Sequence, residues 1–166
     1  QVDAFVLRFQ PGGTLLSSTF LGGNNSEVGY GIAVYAGPPV AVYVGGLTLS
    51  SNFPIANPIQ ATIGGFEDGF VTRFTGAVDG LVYSTYLGGS NGREEYGCTG
   101  IGVDAAGNAY VAGGSEASDY PLVNPHQAAP QGSYDAVVTR IDPSAVAACA
   151  DEIMERFFRE RPINAL

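Results

Sequence analysis

The residues of this 166-residue chain that could do chemistry are few and scattered. Glu94 and Glu95 stand together in the loop SNGREEYG, and Asp104 follows in the next turn. Three such carboxylates offer the oxygen ligands that Ca²⁺ takes, or an acid and a base for glycoside hydrolysis. They are the candidate ligand-binding residues. An acidic protein also places carboxylates in loops by chance, so no metal site and no catalytic set is assigned. His126 is the only histidine, and the matching position of the earlier repeat is Ile59. A lone loop histidine more often faces solvent, and a Ser-His-Asp triad or a zinc site needs partners that are missing here. Cys98 and Cys149 have no metal-type spacing, which leaves a disulfide or two thiols. Tyr83 and Tyr86 could form a stacking platform for carbohydrate or could pack internally.

The charge pattern excludes one class of partner. Sixteen acidic residues against seven Arg and no Lys give a net charge of −9. The clustered Arg156, Arg159 and Arg161 alternate with Glu155 and Glu160, so no basic stripe exists for nucleic-acid phosphates. No apolar run approaches the roughly 18 residues of a membrane span. The start at Gln1 rather than Met points to processing or to excision from something longer.

The elements that must position these residues are repeated. DAFVLRF from Asp3, DGFVTRF from Asp68 and DAVVTRI from Asp135 are near-copies spaced by 65 and 67 residues. Such a period marks units that complete each other's core. With 24 Gly, ten Pro and runs of Val, Thr, Tyr and Phe, each unit reads as short strands joined by turns. LLSSTFLGG (15–23) recurs as LVYSTYLGG (81–89), with a Gly-Gly exit that permits positive φ. GIGVDAAGNAYVAGG (100–114) is a hairpin turning at 104–108, and GIAVYAGPPVAVYVGG (31–46) is its looser counterpart. NFPIANPIQ (52–60) matches DYPLVNPHQ (119–127), whose prolines exclude a helix interior or a central strand. This is expected to be an ordered connection packed by Phe53 and Tyr120. Arg8, Arg73 and Arg140 recur in every unit, which favours a structural role over a ligand-binding ring.

These blocks resemble the bacterial seven-bladed β-propeller repeat (SBBP) family, and the hairpin is similar to the inner strands of NHL-type propeller repeats. The resemblance covers about residues 3 to 143. It implies an all-β chain of four-stranded antiparallel blades, about 66 residues per unit. The order is then Ile32 to Val34 innermost, Ala41 to Val44 next, the Asp-initiated strand third and the YSTYLGG strand outermost. The chain would hold two outer strands of one blade, one whole blade and three strands of another, an incomplete ring. A propeller needs roughly four to eight blades, so either several copies assemble or the remainder belongs to a longer propeller chain.

Residues 1–143 are thus expected to be the repeat region and 144–166 an amphipathic C-terminal helix and tail. Asp142 as N-cap, Pro143 at the first helical position and Pro162 as a stop frame it. Val146, Cys149, Ala150, Ile153 and Phe157 fall on one stripe, flanked by Met154 and Phe158. A blade-edge cap, a partner-docking helix and a disrupted coding sequence are the competing accounts of that tail.

The functional expectation is a noncatalytic binding or scaffold module of an exported bacterial protein, secreted or at the cell surface, with protein or carbohydrate partners. The resemblance supplies the export. No cofactor is expected, Ca²⁺ being the one ion that the candidate carboxylates suit. A propeller hydrolase or lyase acting on polysaccharide and a self-assembling structural unit are the rival expectations.

Overall fold

The computed structural model describes residues 1–94 and 96–144. Among these residues nine antiparallel strands form three sheets. β1 (Ala4–Phe9) and β2 (Leu15–Leu21) make the first. β3 (Glu27–Tyr35), β4 (Ala41–Thr48), β5 (Asp68–Thr75) and β6 (Leu81–Leu87) lie side by side in that order as the second. β7 (Cys98–Val103), β8 (Ala109–Ser115) and β9 (Asp135–Ile141) make the third. The strand order implied by the resemblance is the one observed. The described residues form no closed ring. The expected C-terminal helix falls on residues outside the described ones, as do Cys149 and its pairing. Asp142 does accept from the Ser144 N–H at 2.9 Å, the bond that an N-cap makes.

The second sheet is packed on both faces, and its sequence shows why. All eight residues of β4 are buried, and its run AVYVGGLT is apolar without alternation, as a strand covered on both sides requires. The period of two sends Val42 and Val44 to one face and Ala41 and Tyr43 to the other. On the first face Phe70, Phe74 and Tyr86 close on Ala4, Val6 and Leu21 of the first sheet. On the second, Tyr43, Val71, Tyr83 and Leu87 close on Cys98, Ala109, Val111 and Ile141 of the third. The first sheet has two strands and leaves Ile32 and Val34 of β3 exposed, whereas their repeat partners Ile101 and Val103 pack into the second cluster.

The Phe53–Gln60 connection is ordered, as its prolines imply. Phe53 is buried with its ring centroid 4.6 Å from that of Phe70. Its N–H donates to the Tyr86 hydroxyl at 3.0 Å, and that hydroxyl donates to Ser50 O at 2.7 Å. The connection then runs along the outer edge of β6. Ala56 exchanges two backbone bonds with Ser84, the Tyr86 N–H donates to Gln60 O, and Asn57 Nδ2 donates to Val82 O. Asn57 has φ 43° and its counterpart Asn124 φ 49°, a left-handed conformation that asparagine tolerates. Tyr120 takes the place of Phe53 in the third sheet, packing into the second cluster with its hydroxyl 3.1 Å from Thr139 Oγ1.

Candidate functional site

The candidate carboxylates do not converge. Asp104 sits in the turn after β7, whereas Glu94 sits in the loop before it. A six-residue strand rises about 20 Å, and that strand separates them. Glu95 lies outside the described residues.

Asp104 has no free oxygen to offer a ligand. Its Oδ1 accepts from the Ala106 and Asn108 N–H groups, both at 2.9 Å. Its Oδ2 accepts from Asn108 Nδ2 at 2.7 Å and the Tyr110 hydroxyl at 3.1 Å. These bonds, that from the Asn108 side chain first, hold its carboxyl down at about 2. Gly107, at φ 85°, completes the turn.

Glu94 is buried and belongs to a tie between loop and strand. Its Oε1 accepts from the Gly89 N–H at 3.0 Å and from Ser115 Oγ at 2.9 Å. Glu27 is its counterpart, accepting from the Gly23 N–H at 2.9 Å and from Thr48 Oγ1 at 2.7 Å. A carboxylate that recurs in the same contacts in two units is doing structural work.

Beside Glu94 lies an acid that sequence reasoning did not single out. Asp68 is fully buried, and its Oδ2 accepts from Gln60 Nε2 at 2.7 Å and the Gly64 N–H at 2.8 Å. Asp68 Cγ and Glu94 Cδ lie 2.7 and 3.1 Å from the point that a Cβ on Gly88 would occupy. Asp68 Oδ1 and Glu94 Oε2 are buried without a donor. Burial pushes both carboxyls up against the pull of their hydrogen bonds. The first repeat holds the same arrangement, since Asp3 and Glu27 crowd Gly22 in the same way.

The Gly-Gly exits correct an expectation. None of Gly22, Gly23, Gly88 and Gly89 has positive φ. They are glycines because side chains close on them: a Cβ on Gly89 would strike Ala117 and Asp119, and one on Gly23 would strike Asn52 and Ser50. Asp119 accepts from the Ser90 N–H at 3.0 Å, as Asn52 does from the Asn24 N–H at 2.6 Å.

The remaining candidates are plainly placed. His126 is exposed. Cys98 is buried, its thiol pushed up to about 12 by desolvation, so it is a packing residue and not a nucleophile. Tyr83 and Tyr86 are buried on opposite faces of β6, which leaves no ring for stacking a sugar. The Arg73 guanidinium lies 5.5 Å over the Tyr43 ring, and Arg140 pairs with Asp142 at 3.5 Å. Among the described residues no group of three or more His, Cys, Asp and Glu could hold a metal ion. No helix among them is long and apolar enough to cross a membrane.

One open groove, of about 510 Å³, lies between β2 and the turn from β5 to β6. Ser18, Thr19 and Phe20 of β2 line it with Phe74, Val78 and Asp79. Ser17 Oγ is buried without a partner. Sequence reasoning missed this place, because it forms only where two repeats meet.

Compared with protein-family models and with curated proteins, the chain matches none.

Proposed function

We propose that the three sheets are successive blades of a β-propeller-type repeat array, and that the chain is a noncatalytic module of an exported bacterial protein, binding carbohydrate at the cell surface. The observation that carries this reading is the sandwiching of the second sheet by two like sheets, in the strand order of a blade. The motifs shared with the SBBP repeats support the family and the export. The acids favour scaffold over enzyme: Asp104 is spent on its turn, and Asp68 and Glu94 are out of reach of a substrate. The groove beside β2 supports the ligand class, since the exposed Phe20 ring, with Ser18, Thr19 and Asp79 also in the lining, suits a sugar chain.

The test is retention and turnover on one set of polysaccharides. The purified chain is passed over immobilised bacterial surface polysaccharides and incubated with the same polymers in solution. Retention that weakens at least tenfold in Asp79→Ala, without new reducing ends or unsaturated products, is expected. Turnover abolished by Glu94→Gln would replace this reading with the hydrolase or lyase one. A chain that retains no polysaccharide would remove the ligand class.

A further inference from the structure

The two outward faces of the stack differ in kind, and the repeat tells what each is built to meet. On the first sheet Phe5, Leu7, Phe9 and Phe20 point away from the protein, and Phe5 and Phe20 are 65% and 78% exposed. They occupy the repeat positions of Phe70, Thr72, Phe74 and Tyr86, all buried in the second sheet. On the third sheet Val138 is 77% exposed and Tyr110 is exposed beside it. These occupy the repeat positions of Val71 and Tyr43, again buried in the second sheet.

Inside the protein an aromatic-type face always meets a valine-type face. Phe70, Phe74 and Tyr86 meet Ala4 and Val6. Val71 and Tyr43 meet Val111 and Ile141, which stand at the repeat positions of Val44 and Phe74. The rule is the same at both contacts, and among the described residues the stack ends in one uncovered face of each type. Exposed apolar residues grouped on one face mark interaction sites, and units of a stack cannot bury such faces alone.

We propose that these two faces are the halves of one interface, by which the first sheet of one copy docks on the third sheet of a second copy, head to tail. The interface continues the packing of the internal ones, with the Phe5, Phe9 and Phe20 rings over Val138 and Ala136. It joins unlike surfaces, so repetition gives a ring or a filament and never a closed two-fold dimer. The proposal rests on the reading of the sheets as stacked blades and needs no carbohydrate.

The experiment is the solution mass of the 166-residue chain, by light scattering coupled to size exclusion at rising concentration. The variants are Phe20→Glu and Val138→Glu, each alone and mixed one to one. The wild type is expected to exceed one chain in mass. Each variant alone is expected to weigh one chain, because each spoils one half of every interface. The mixture is expected to stop at two chains, since one intact face of each type remains. A wild type that stays monomeric overturns the proposal, and so does a Val138→Glu variant that still dimerises, because like faces would then be pairing. A variant that loses its unfolding transition counts instead against the stacked-blade reading, as its side chain would then be core. The wild-type mass still decides the interface in that case.

Discussion

Asp68 and Glu94 meet over Gly88, each with one buried carboxylate oxygen that no donor reaches. One proton held between them would satisfy both oxygens, and burial raises both groups in the direction that favours it. Cys98 and Asp119 also face this pair, and neither brings a positive charge. The pair therefore makes its own demand on pH.

A carboxyl raised in the folded state gives stability that is full below its ordinary range and is lost as pH rises through the folded value. Asp104 and Asp119 act in the opposite sense. Their carboxyls are lowered by hydrogen bonds, so their stability is present at neutral pH and lost as pH falls. Glu94→Gln keeps the oxygen that Gly89 and Ser115 use and adds an N–H toward Asp68. Thermal unfolding should show Glu94→Gln more stable than the wild type at pH 7, by about 2–4 °C for each kcal/mol gained. The two should coincide near pH 4. Equal differences at both pH values would show that the pair does not titrate with folding.

Gly88→Ala forces a methyl between the same two carboxyls. Neither can retreat without giving up the bonds to Gln60, Gly64 and Ser115. A loss of about 1–3 kcal/mol, typical of overpacking, is expected in urea unfolding. A loss below about 0.5 kcal/mol would mean that the loop gives way freely.

Tyr86→Phe removes one oxygen and strands two backbone groups, the Phe53 N–H and Ser50 O. The expected cost is about 1–3 kcal/mol, because the aromatic packing stays and only the desolvated polar groups lose. Hydrogen exchange should show the Phe53 amide losing protection before the strand amides do.

Calcium should leave the protein unchanged. A ligand at a hundred times its dissociation constant raises stability by about 2.7 kcal/mol, which a melting curve resolves. Unfolding midpoints in millimolar CaCl₂ and in EDTA are expected to agree. A rise with calcium that Asp104→Asn removes would show that the turn opens to bind it.

The repeat copies made the strands legible in the sequence, and their order came only through the resemblance to propeller repeats, since copies alone do not fix what pairs with what. The role of Glu94 was not legible. Its loop carries one extra residue before it and two after it relative to Glu27, so the two glutamates did not align and Glu94 read as a candidate ligand-binding residue of a loop. The Gly-Gly exits misled for a related reason. Glycine serves both unusual dihedrals and crowding, and only coordinates distinguish the two. Tyr83 and Tyr86 are consecutive aromatics of one outer strand, and alternation alone sends them to opposite faces without saying that both faces are covered. That needed the neighbouring sheets.

The strap from Phe53 to Gln60 has a consequence for direction. It occupies the outward-pointing groups of β6 at Val82, Ser84 and Tyr86, so the rim of the second sheet offers no template for a foreign strand. Whatever joins this protein there must come face on. At that rim the architecture stacks like coins and does not knit sideways like cloth.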